Sequence, residues 1–166
     1  MGAFTLVEIS MVMAMLMLLA AALIMMLQSH VTFMRILQSY TFLRDDAPQV
    51  NNMLTGIFGK ANSYRIYSSV GNAKANTGSI NVDGKAVRLS FRSPDGSYDE
   101  GIVAFEVVAG EAKLNFYSFD GAWNVTPNWT ITQQASTVTF ADDTGILLVT
   151  LTGPNGEQVT YGGTGE

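Results

Sequence analysis

From Ile9 to Leu27 the chain carries no charged side chain, and Ser10 is the only polar interruption. At 1.5 Å of rise per residue such a run makes a helix about 30 Å long, the thickness of a bilayer's hydrocarbon core. A membrane-length helix is therefore the first thing any fold of this chain must accommodate. Between Met1 and Met34 the one formally charged side chain is Glu8, at the very edge of the run. A carboxylate at the edge of a membrane helix is costly unless it has a partner, so Glu8 is a functional residue by default. A cleaved secretory signal fits poorly. Its small-residue cleavage site would follow the apolar run, whereas Gly2-Ala3 precede it and Gln28-Ser29-His30-Val31 make a poor signal-peptidase end.

The segment Phe4-Thr5-Leu6-Val7-Glu8, running straight into the apolar stretch, resembles the N-terminal signature of the type IV pilins and type II secretion pseudopilins. The resemblance covers about the first thirty residues. It implies that a prepilin peptidase cuts just ahead of the hydrophobic segment and that the new N-terminal residue, commonly Phe, is N-methylated. It also implies that the Glu falling fifth in the mature chain pairs with the N-terminal amine of a neighbouring subunit. An ammonium and a carboxylate in a low-dielectric filament core are each expensive alone and tolerable together, which makes Glu8 a registration device for assembly. The processing site comprises Gly2, Ala3 and Phe4. Cleavage after Ala3 makes Phe4 first and Glu8 fifth; cleavage after Gly2 makes Ala3 first and Glu8 sixth. Family precursors carry Lys or Arg ahead of the cut, and here only Met1 precedes Gly2, so whether Met1 is the true start stays open.

The rest of the chain is polar and Gly-rich. With 166 residues there is room for one ordinary domain plus an extension. The apolar fraction of 48% is high because of the N-terminal segment, where seven of the nine methionines lie between Met11 and Met34. The net charge of −5 is unevenly spread. Lys and Arg concentrate between Arg35 and Arg92, whereas beyond Ser93 Lys113 stands alone against a run of Asp and Glu. That balance argues against a nucleic-acid partner, which needs a basic face. It fits an ordinary mixed surface, or a basic membrane-proximal part of one subunit meeting the acidic distal part of the next. With no cysteine, disulfides and thiol chemistry are ruled out.

Past Val31 apolar residues recur at Phe33, Ile36, Tyr40, Leu43, Ala47, Val50, Leu54, Ile57 and Ala61, one face of a helix at 100° per residue. Pro48 lies opposite that face and predicts a kink or a division, with Asp45-Asp46 able to cap a second helix. The stripe is expected to pack on a sheet, leaving Arg44, Asn52 and Lys60 wet. After Tyr64 the period changes to two. Strands are predicted over 64–68, 86–92, 102–108, 112–119, 129–133, 137–141, 146–152 and 158–161, as a meander of antiparallel hairpins. Asn155-Gly156 is the strongest hairpin signal, and the Gly, Asn, Ala and Ser of 69–79 predict a mobile loop.

Sites for chemistry are few. His30 has no Cys and no carboxylate pair near it in sequence, which excludes a His-based metal site and a Ser-His-Asp arrangement. Asp142-Asp143-Thr144-Gly145 could offer oxygens to Ca²⁺, although two acids before a Gly are more often a turn. Trp123, Trp129, Tyr117 and Phe119 are expected in the core, with a sugar- or surface-binding patch as the alternative.

The expected fold is α+β: a long N-terminal helix, apolar in its first half and amphipathic in its second, packed on an antiparallel β-sheet head. Residues 1–8 form the processing motif, 9–27 the transmembrane and filament-core helix, 28–63 the amphipathic continuation kinked near Pro48, and 64–166 the head. What the resemblance implies is a non-enzymatic filament subunit. It would sit single-pass in the inner membrane, with membrane lipid, prepilin peptidase and other pilin subunits as partners, and then enter a periplasmic or extracellular filament. A minor pseudopilin of a type II secretion system, and a membrane-anchored binding module that never polymerises, are the alternatives.

Overall fold

The computed structural model describes residues 5–163. The fold is α+β, a long N-terminal helix with antiparallel sheets. The chain divides into two compact units, Met1–Gln38 and Ser39–Glu166.

The described part of the first unit is helical from Leu6 on. Helix α1 spans Leu6–Thr41, 36 residues or about 54 Å. Its Leu, Met and Ala are strong helix formers. None of its residues is buried by the chain itself.

The second unit takes in the end of α1 and the point where the helix changes pitch. Phe42–Asp46 forms a π-turn, and α2 follows over Ala47–Phe58. The Ala47 N–H donates to the Phe42 carbonyl, five residues back, so one extra residue enters the spiral here. The turn stands directly before Pro48, whose ring would collide with the carbonyl of Arg44 in a regular helix and which has no N–H to give. Helical backbone thus continues from Leu6 to Phe58. The second cap expected at Asp45-Asp46 does not form. Asp46 has helical backbone angles and makes no side-chain cap bond, while Asp45 takes Nε and Nη2 of Arg44 at 2.8 and 2.9 Å.

The extra residue also corrects the apolar stripe. In unbroken α-helical phase Tyr40 and Leu43 share a face with Ala47 and Val50. Here Phe42 takes the inward place, 3% exposed, while Leu43 and Tyr40 are 37% and 67% exposed. From Ala47 onward the stripe holds: Ala47, Val50, Leu54 and Phe58 are buried and Ile57 and Ala61 pack beside them. Arg44, Asn52 and Lys60 are exposed.

Among the described residues nine strands form two sheets. The larger comprises β1 Ser63–Tyr67, β2 Ser79–Ile80, β3 Ala86–Arg92, β4 Tyr98–Val108, β5 Glu111–Ser118 and β6 Trp129–Thr132, in the order β2-β1-β3-β4-β5-β6. The smaller is a meander of β7 Thr137–Asp143, β8 Ile146–Thr152 and β9 Gln158–Gly162. All pairings within both are antiparallel. The sequence pattern predicts these strands within a few residues, except β2, and it does not separate the two sheets. They join where Gly84 and Phe140 exchange backbone hydrogen bonds, 2.9 Å each way, and where the Asp142 N–H reaches the Asn81 carbonyl at 2.8 Å. Gly84 is obligatory, because a Cβ there would overlap Ile66 Cγ2.

Two hairpins turn on two residues with positive φ, Ala109-Gly110 at 53° and 84° and Thr144-Gly145 at 54° and 89°. These match the right-handed strand twist. Asn155-Gly156 makes a wider turn than expected. Gly156 alone has positive φ, its N–H reaches the Gly153 carbonyl at 3.2 Å, and Gly153 N–H reaches Glu157 at 2.8 Å. A proline at the preceding position favours this wider form.

Each face of the large sheet has its own core. On one face Ile66, Val87, Leu89, Val103, Phe105 and Leu114 join the buried side of α2 and Val138, Phe140, Leu147, Val149 and Leu151 of the small sheet. On the other, Tyr67, Ala86, Ile102, Ala104 and Tyr117 lie under Ala73. Ala73 belongs to α3, Val70–Ala75, inside the stretch expected to be a mobile loop. Ser69 Oγ caps α3 by accepting from the Asn72 N–H at 3.3 Å, and Asn76 ends it in the left-handed region at φ 55°. Short length and a glycine hide this helix from periodicity.

Leu54→Ala is expected to destabilise the head by about 2–5 kcal/mol through the cavity it leaves. Gly84→Ala is expected to cost about 1–3 kcal/mol through overpacking. Urea unfolding of the full chain in detergent, followed by tryptophan fluorescence, measures both.

Candidate functional site

At the start of α1, Thr5 and Glu8 cap the helix reciprocally. The Thr5 N–H donates to Glu8 Oε2 at 2.8 Å and the Thr5 hydroxyl to the same oxygen at 3.0 Å. In return the Glu8 N–H points to Thr5 Oγ1 at 3.4 Å. This is a capping box, Thr at the cap and Glu three residues on, and it satisfies backbone donors that a helix start leaves open. The sequence carries the signature as Thr5-Leu6-Val7-Glu8. Sequence reasoning passed over it by seeking a partner for Glu8 in another subunit. The carboxylate already has one inside its own chain, at the positive end of the helix dipole.

Gly2, Ala3 and Phe4, the expected processing site, lie outside the described residues.

From Ile9 to Leu27 the helix surface is apolar on all sides apart from Ser10, and past it Gln28, His30 and Arg35 share the surface with apolar residues. A helix apolar all round is stable only inside a membrane or packed among other helices. The α1 helix is long and apolar enough to cross a membrane. The apolar surface also continues past the length a bilayer uses. Phe33 is 57% exposed and Ile36 48%, and Val31, Met34 and Tyr40 are exposed as well. His30 stands exposed among them. The Thr32 hydroxyl turns back to the Gln28 carbonyl at 3.0 Å, which hides one polar group.

The acidic turn of the head does not gather ligands around it. Asp142 and Asp143 close the β7–β8 hairpin, where Asp142 Oδ1 accepts from the Gly145 N–H at 2.8 Å. Asp99 accepts from the Ser93 hydroxyl at 2.8 Å. Among the described residues no three of His, Cys, Asp and Glu come together in a way that could hold a metal ion.

The four aromatics divide. Tyr117 is buried, and its hydroxyl donates to the Glu106 carboxylate at 2.5 Å. Burial first, and that carboxylate second, hold its phenol far above the ordinary range. Phe119 and Trp129 are exposed, and Trp123 is half-buried against Phe119 with ring centres 5.1 Å apart. Phe119 and Trp129 therefore lie at the surface rather than in the core, while Trp123 packs at the edge of the core that holds Tyr117.

No family model, no curated protein and no solved structure matches the chain.

Glu8→Ala is expected to speed amide hydrogen exchange at Thr5 by about two- to fivefold, and Glu8→Gln, which can still cap, by less than about twofold. NMR exchange rates of the full chain in detergent micelles check this.

Proposed function

We propose that this chain is a structural subunit of a type IV pilus-like filament, held in the inner membrane by α1 until its helix leaves lipid and packs among the α1 helices of other subunits. One observation carries the reading. The uncovered apolar surface of α1 runs on through Phe33, Ile36 and Tyr40. A bilayer uses about 20 residues of helix. An anchor needs no apolar side chains beyond that, whereas a filament core built from these helices does.

The methionines suit such an exchange. Unbranched and polarisable, they repack against lipid or protein at little cost. Small residues, such as Ala20, Ala21 and Ala22, allow helices to approach closely. Glu8 then has two tasks in sequence. It caps its own helix, and in the filament its negative charge neutralises the N-terminal ammonium of a neighbour. A minor, pseudopilin-like position in a secretion filament is the second reading, favoured by a β-rich head without cysteine.

Glu8→Gln separates the two tasks, because the amide caps but carries no charge. Filament yield in the native host is expected to fall by at least about tenfold for both Glu8→Gln and Glu8→Ala, with membrane insertion and head folding unchanged. Wild-type yield from Glu8→Gln would leave capping as the residue's whole role. Mass spectrometry of the mature N-terminus tests processing: a methylated Phe4 or Ala3 is expected, and an intact Met1 in the cell's membrane would point to a plain anchor.

A further inference from the structure

The face of the large sheet that α3 covers carries an arrangement the fold does not need. Arg65 of β1 and Arg88 of β3 are direct cross-strand partners, and so are Ser63 and Ser90 beside them. Cross-strand partners share a face, and like charges placed opposite each other are destabilising. One carboxylate offsets half of this. Glu100 of β4 holds Arg88 in a forked pair, Nε to Oε1 at 3.1 Å and Nη2 to Oε2 at 2.5 Å. Arg88 also donates to the Ala73 carbonyl at 3.1 Å and lies 5.3 Å from the Trp123 ring centre, so its position is fixed.

Arg65 is left over. Its one hydrogen bond among the described residues is a long one, 3.5 Å, from Nη1 to the neutral Asn76 Oδ1. The same oxygen accepts from the Tyr67 hydroxyl at 2.5 Å. With Oδ1 occupied twice, the Asn76 amide group presents its N–H donors elsewhere. Arg65 and Asn76 line a cleft of about 250 Å³, together with Ser63, Tyr64, Ser90 and the Arg88–Glu100 pair. Among the described residues the cleft therefore holds one guanidinium with no carboxylate bonded to it and two serines, and its one carboxylate, Glu100, is already paired with Arg88.

We propose that this cleft is a binding site for a tetrahedral oxoanion, phosphate or sulfate, free or as the terminal group of a small molecule. The forked guanidinium of Arg65 supplies two parallel donors, and the serine hydroxyls supply donors from other directions, which suits an anion with several acceptor oxygens. The bound anion also removes the repulsion between Arg65 and Arg88. The volume suits a small group and is below the usual size of a nucleotide site. The site lies within the head and is independent of how α1 assembles.

The test is isothermal titration of the full chain in non-ionic detergent, at low salt, with inorganic phosphate. Saturable binding is expected. Arg65→Gln should weaken it at least about tenfold, the loss of a charge-assisted forked contact. Lys60→Gln removes the same charge from an exposed site and should change it less than about twofold. Ser90→Ala removes a donor and no charge and should weaken binding about threefold, which keeps the test intact if Arg65→Gln disturbs the fold. Glycerol 3-phosphate binding more tightly than phosphate would identify a terminal phosphoryl group; equal affinity would identify the free anion. Absence of saturable binding, or equal losses in Arg65→Gln and Lys60→Gln, would overturn the proposal.

Discussion

The α1 helix exposes apolar side chains on every side and none of them is buried by its own chain. Water cannot solvate such a surface without a cost that grows with its area, at roughly 25 cal/mol per Å². Something outside the chain has to cover it, and the rest of the architecture follows from that demand. The core of the head is drawn from the π-turn, α2, α3 and two sheets. The lack of disulfides places the whole burden of the head's stability on that packing.

The two ends of α1 show how the sequence manages the demand. At the start, Thr5 and Glu8 close the helix on itself, so the one charge near the apolar run is held by backbone and hydroxyl donors. At the other end, the π-turn at Phe42–Asp46 lets the spiral pass Pro48 and changes which residues face inward. Phe42 joins the head's core, and Tyr40 and Leu43 do not. Apolar residues that a regular helix would have spent on the head are left at the surface, next to the uncovered part of α1.

Much of this was legible in the sequence, for identifiable reasons. The long apolar run and the switch from a period of 3.6 to a period of two are strong signals because each repeats over many residues. The strands of the head followed from alternation and turn residues, as at Ala86–Arg92 and Ile146–Thr152. What escaped was local. One extra residue before Pro48 shifts a helical phase without altering composition. The six residues of α3 are too few for periodicity and contain a glycine. The division into two sheets depends on the Gly84–Phe140 pairing, which joins distant segments. The Arg65–Arg88 pairing is invisible until the register of β1 on β3 is known. Glu8 stood out in the sequence as a lone charge at the edge of an apolar run, and its nearest partner is Thr5, three residues away, in a motif the sequence spells out.

The proposed filament requires that other copies of α1 cover this helix. A photo-crosslinking amino acid placed at Tyr40, exposed and beyond the membrane-length run, tests it most directly in intact cells. Mass spectrometry of the products should find crosslinks from position 40 to residues of another copy's α1. Crosslinks confined to lipid or to the same chain would contradict it.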